Sequence, residues 1–138
     1  MVTRKEAKHT MNLKQIGQIS LTVDNVNTAE HFYEETLGLQ KLYRFGNLVF
    51  FDCGGVRLFI TEPEKGAFSP ASSILYFQTS DIAVDIKELK SKDVLFIHEP
   101  HLVSEMEDHD LWMAFFEDPA GNTLALMYEA PKGFQPSL

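Results

Sequence analysis

Histidine carries the strongest case for chemistry in this sequence. His98-Glu99-Pro100-His101 offers two imidazoles, and His109 stands between Asp108 and Asp110, just ahead of Leu111-Trp112. An imidazole between carboxylates can act as a general base or as a metal ligand, so His101 and His109 are the candidate catalytic residues. The same stretch also supports a plainer reading. Pro100 forbids a helix that would aim His98 and His101 together. Glu105, Glu107, Asp108 and Asp110 lack the spacing and the glycine of a calcium loop. A solvated, acidic, irregular loop over 99–110 is what this spacing favours.

Arginine occurs at Arg4, Arg44 and Arg57. Arg57 lies inside an apolar run, where it could clamp a carboxylate or phosphate through two parallel N–H bonds, or pair with a glutamate on a strand surface. Cys53 is the one cysteine, so neither an intrachain disulfide nor a cysteine zinc cluster can form. It sits beside Gly54 and Gly55 with no base near it in sequence, which suits a small packing residue better than a nucleophile. No Ser-His-Asp order, phosphate loop or paired-carboxylate spacing is evident.

The elements that must hold these side chains follow from periodicity. Gln18-Ile19-Ser20-Leu21-Thr22-Val23 alternates polar and apolar residues with period two, which predicts a strand with one oily and one polar face. Asn27 with Glu30 fits a capping box, predicting a helix over 28–37 that stops at Gly38. Strands over 40–45, 48–53 and 56–62 follow, joined at Gly46-Asn47 and Gly54-Gly55. A stretch rich in proline, glycine, serine and lysine, 64–72, reads as a linker. The plan then repeats: a strand at 74–79, a helix capped by Ser80 or Asp81, and strands at 94–98, 111–117 and 122–128. Leu48-Val49-Phe50-Phe51-Asp52-Cys53-Gly54-Gly55 and Phe115-Phe116-Glu117-Asp118-Pro119-Ala120-Gly121-Asn122 share a Phe-Phe-acid entry to a tight turn. The chain is one βαβββ module written twice, an α+β class. The expected bounds are a polar tail over 1–12, a single domain over 13–130 with modules 14–63 and 73–130, and a C-terminal tail over 131–138.

A chain of 138 residues that is 44% hydrophobic can bury a sizeable core. Its net charge of −8 argues against nucleic acid, whose phosphates need a basic surface. No run reaches membrane-spanning length, and the first ten residues lack the apolar core of a signal peptide. A cytoplasmic location is therefore expected.

Phe32-Tyr33-Glu34-Glu35-Thr36-Leu37-Gly38-Leu39 and Asp118-Pro119-Ala120-Gly121-Asn122, set in paired βαβββ halves, resemble the vicinal oxygen chelate superfamily. That group includes glyoxalase I, bleomycin-resistance proteins and extradiol dioxygenases. The resemblance implies two modules whose mixed sheets form a half-open cup, commonly in a homodimer. In the family's enzymes a divalent metal sits in that cup, and the ligand positions transfer to Gln18, Phe59, Ile74 and Ala125. One amide and three apolar side chains cannot supply the three or four N, O or S donors such an ion needs. The resemblance then implies no metal and no cofactor, and a small organic molecule as ligand. Period-two parity adds Ser20, Arg57 and Tyr76 to the cup, and Trp112 is expected at its mouth. The alternative is a glyoxalase-like lyase or isomerase with an unorthodox metal site drawn from Gln18, His101, His109 or Glu105.

Overall fold

The computed structural model describes residues 10–137; residues 1–9, most of the expected N-terminal tail, lie outside the described residues. The first module comprises β1 (Gln18–Thr22), α1 (Val26–His31), β2 (Gln40–Phe45), β3 (Leu48–Cys53) and β4 (Val56–Thr61). The second comprises β5 (Leu75–Gln78), α2 (Ile82–Ser91), β6 (His101–Glu105), β7 (Asp110–Glu117) and β8 (Thr123–Ala130). Two four-stranded sheets result, ordered β1-β4-β3-β2 and β5-β8-β7-β6. In each, the first strand pairs in parallel with the last, and the remaining pairs are antiparallel. The α+β architecture of two open βαβββ modules expected from the repeat is the one observed.

Strand register carries the repeat down to single residues. Ser20 is level with Phe59, and Phe59 with Phe50. Tyr76 is level with Ala125, and Ala125 with Phe115. Alternation sorts the two faces. Leu21, Leu58 and Ile60 from the first sheet and Ala114, Phe116, Leu124 and Leu126 from the second are buried, together with Ile82 and Ile86 of α2. They form one hydrophobic cluster spanning both modules. Tyr33, Phe51 and Phe116 are fully buried there, each of the aromatics contributing on the order of 1.5–3 kcal/mol by leaving water.

The Asp-Pro-Ala-Gly-Asn turn does more than reverse the chain. Asp118 Oδ1 accepts from the backbone N–H groups of Ala120 (2.9 Å) and Asn122 (2.8 Å), which shapes the turn. Asp118 Oδ2 accepts from the Tyr33 hydroxyl at 2.8 Å and from Asn122 Nδ2 at 3.0 Å. Asn122 Nδ2 also donates to the Thr22 carbonyl (2.9 Å), and its Oδ1 accepts from Ala71 N–H (2.7 Å). Both polar side chains are buried, and buried polar groups need such partners. One turn thus ties the helix and first strand of module one, and the linker, to module two.

Four local expectations change. The first helix is capped by Asn25, whose side chain accepts from Thr28 N–H, rather than by Asn27. Glu30, expected in the capping box, instead pairs with Lys41 at 3.0 Å and Arg44 at 2.8 Å. The helix also ends in a wider π-helical segment, Phe32–Thr36, whose last bond runs from Leu37 N–H to the Phe32 carbonyl. In module two the stretch 94–98 is reduced to one bridge, Phe96 with Phe116, and the strand itself starts after Pro100. Proline has no N–H to give a ladder, so pairing resumes beyond it. Part of the expected acidic loop is consequently strand β6.

The chain beyond β8 stays on the domain. Phe134 packs edge-on against Trp112 (5.9 Å) and Tyr128 (5.2 Å). Asp110 receives Lys132 Nζ at 2.9 Å and Gly133 N–H at 2.9 Å.

Candidate functional site

The faces turned away from the shared core hold most of the expected site residues. On the first sheet they form two rows across the strands. One row, read from the outer edge inwards, is Tyr43, Phe50, Phe59 and Ser20. Phe50 and Phe59 stack with centroids 4.8 Å apart and planes 11° from parallel, and Tyr43 lies 4.8 Å from Phe50. Such offset aromatic contacts add about 0.5–1.5 kcal/mol each beyond burial. The neighbouring row is Gln40, Asp52, Arg57 and Gln18. Arg57 Nε donates to Gln18 Oε1 at 2.9 Å, and its guanidinium lies 5.4 Å from the Phe50 ring centre. Asp52 is directly opposite Arg57 in the ladder, yet among the described residues no carboxylate lies within 4.0 Å of the guanidinium.

The second sheet repeats the aromatic row with different chemistry. Tyr76, Ala125 and Phe115 are level, and Tyr76 meets Phe115 edge-on at 6.0 Å. His101 stacks on Phe115 at 5.9 Å and 15°. The polar row has become Glu117 and Thr123, so the arginine occurs in module one alone.

The structure brings Gln18, Ser20, Arg57 and Phe59 onto one face and Tyr76, Ala125 and His101 onto the other. Tyr76 and Ile74 also border a cavity of about 390 Å³ at the junction of the modules, with Ile19, Leu58 and Cys53. A larger cavity of about 530 Å³ adjoins it, walled by Leu37, Cys53, Phe77 and Leu89. Burial, then the charge of Asp52, pushes the Cys53 thiol up, which leaves it a poor nucleophile at neutral pH.

Two expectations fail. Trp112 does not reach the open face: it is 7% exposed, in the core, with Phe134 against it. It shares parity with Ala114 and Phe116, which also face the helices. His101 and His109 belong to opposite ends of the β6–β7 hairpin, because His101 pairs with Met113 while the His109 carbonyl closes the tight turn onto Met106. His109 is engaged locally, with Nδ1 2.8 Å from Asp108 and Nε2 3.8 Å from Glu129. The Asp108 carboxyl is held below its usual range by that histidine.

The positions matching the family's metal ligands do not fit a divalent ion. Gln18 offers one amide, already engaged by Arg57, and Phe59, Ile74 and Ala125 offer hydrocarbon. Among the described residues, no group of three or more His, Cys, Asp or Glu side chains is placed to hold one elsewhere.

Residues 15–126 match the family model of the Glyoxalase/Bleomycin resistance protein/Dioxygenase superfamily. The chain belongs to that superfamily. Among solved structures it is similar to a lactoylglutathione lyase from Agrobacterium tumefaciens, with 23% identity over 88% of this chain and 98% of that one, at a TM-score of 0.69. It is also similar to a protein from the mobile metagenome of V. Pseudocholerae (19% identity, 88% and 99% of the two chains, TM-score 0.72). A virulence protein from Salmonella typhimurium resembles it to the same degree (22% identity, 87% and 100%, TM-score 0.71). At these identities the likeness shows the fold and leaves the reaction open. No curated protein sequence matches the chain.

Proposed function

We propose that this member of the glyoxalase/bleomycin-resistance/dioxygenase superfamily binds a small organic molecule on its aromatic sheet faces, without the divalent metal its enzymatic relatives use. The observation that carries the reading is the replacement of the metal-ligand positions by Gln18, Phe59, Ile74 and Ala125. Phe59 is not idle in that place: it stacks on Phe50 and continues the row to Tyr43. Apolar walls with a few placed polar groups are what a small-molecule site needs. A metal-dependent lyase would instead need a donor set drawn from Gln18, His101, His109 or Glu105, and no observation favours that.

A second copy of the chain completes the site in this reading. The aromatic rows are half-exposed, and apolar side chains on the outer strands stand in water: Phe45 is 73% exposed and Val103 46%. Tyr43 and Phe45, both exposed on the open face of β2, extend the aromatic row, and exposed apolar surface of this kind marks an interaction face. No described helix is long and apolar enough to cross a membrane, and a cytoplasmic site of action completes the proposal.

The test is a melting-temperature screen in metal-stripped buffer against small aromatic and aliphatic compounds, run beside Phe59→Ala. Stabilisation by some aromatic compounds, lost in Phe59→Ala, supports the reading. No shift with any compound, or shifts that require added metal, refutes it.

A further inference from the structure

Arg57 is placed as a receptor for an anion. Its Nε is fixed by Gln18 at 2.9 Å, and its planar group lies over Phe50 at 5.4 Å, so its direction is set from two sides. Those contacts leave the two terminal nitrogens free among the described residues, and they are the edge that grips a carboxylate in a fork. Asp52, the nearest acid in the ladder, stands level with Arg57 but is not paired with it. Beside this cation runs the Tyr43–Phe50–Phe59 row, ending at the Ser20 hydroxyl. Successive rows on one face of a sheet are about 6.8 Å apart, and Arg57 leans from its own row towards the aromatic one.

We infer that the ligand of this face is a carboxylate joined to an aromatic ring by a short linker, its ring laid against the Phe59 end of the aromatic row and its carboxylate taken by the Arg57 fork. This inference rests on the proposed small-molecule function and names the chemical class of its ligand. A monoanion suits the site better than a phosphate dianion, because the row supplies one cation and keeps Asp52 close by. Module two has Thr123 and Glu117 where module one has Arg57 and Asp52, so the anion is held by the first module.

Calorimetric titration with 3-phenylpropionate and its neutral isostere 3-phenylpropanamide tests this, with 2-phenylethyl phosphate as the dianion. The acid should bind about tenfold more tightly than the amide, the value of one charge-assisted contact. Arg57→Gln should bring the two to equal affinity, and Arg57→Lys should recover only part of the difference. Asp52→Asn should tighten the acid and leave the amide unchanged. Phe59→Ala should weaken both compounds. Arg57 and Asp52 are not core residues, and unchanged circular dichroism of each variant confirms folding. Equal affinity for acid and amide in the unaltered protein overturns the carboxylate inference while leaving the small-molecule reading intact. Tighter binding of the phosphate overturns the preference for a monoanion. Binding of none of the compounds, with other compounds still stabilising the protein, also overturns the inference; stabilisation by no compound at all overturns the proposed function beneath it.

Discussion

The Tyr33 hydroxyl donates to Asp118 Oδ2 at 2.8 Å, joining residues 85 apart in sequence and one from each module. Each partner is buried, and Asp118 uses its other oxygen to shape its own turn. The contact is therefore both a local and a long-range restraint. Register is set inside each module by its own strand pairs, so what this contact restrains is how the two modules are held to the shared core.

Tyr33→Phe should cost about 1–2 kcal/mol in urea unfolding at neutral pH, since it removes one buried bond to a charged acceptor. A double-mutant cycle with Asp118→Asn should return a coupling of at least about 0.5 kcal/mol. Additive losses would mean the bond contributes nothing of its own. Burial, then the negative charge of Asp118, pushes the Tyr33 hydroxyl above its ordinary range. A group with a raised folded pKa stabilises fully below its unfolded value, about 10, and that contribution is lost as pH rises beyond it. The unaltered protein should therefore lose stability above about pH 10 more steeply than Tyr33→Phe does.

The C-terminal clamp titrates at the opposite end. The Lys132 ammonium, and then the Gly133 N–H, hold the Asp110 carboxyl below its usual range. A lowered folded pKa gives stability that is whole above the unfolded value, about 3.9, and is lost as pH falls through the folded one. Asp110→Asn should melt earlier than the unaltered protein at pH 7, and the two melting curves should converge as pH falls below about 4. A constant offset between them across that range would show that the charge plays no part.

Assembly is tested by sedimentation equilibrium. The unaltered chain should sediment as a dimer, and Phe45→Glu, which places charge on the exposed outer strand, should shift it towards monomer. A monomer at all concentrations would remove the second copy from the proposed site.

Much of the fold is legible in the sequence because its signals are local. Period-two alternation from Gln18 to Val23 separates the core face of β1 from its open face, and the doubled Phe-Phe-acid entry discloses the repeat. The features that escape a local reading are decided by partners distant in sequence or by competition between neighbours. Asn25 and Asn27 are both good caps, and only the fit of Val26 and Ala29 into the core chooses Asn25. Pro100 forbids a helix, as its ring dictates, and it also delays the strand to His101. The Asp118 turn is plain from its residues, but Asn122 has partners 51 and 100 residues away that no local pattern reveals. Analogy with a loop mouth misplaces Trp112, although counting in twos from Phe116 sets it among the core residues. The sequence leaves Arg57 between a ligand clamp and a surface ion pair; the structure gives it Gln18 and the Phe50 ring as partners, contacts that no spacing in the sequence discloses.

The central claim is that this face works on hydrocarbon and an arginine, with no divalent ion. Its most direct test is elemental analysis by plasma mass spectrometry of protein purified without chelator, then dialysed against Ni²⁺, Mn²⁺ and Zn²⁺. With Phe59, Ile74 and Ala125 in the ligand positions, less than about 0.1 equivalent of any of these metals per chain should be retained. Retention of about one equivalent per chain, abolished by Gln18→Ala or His101→Ala, would contradict the account.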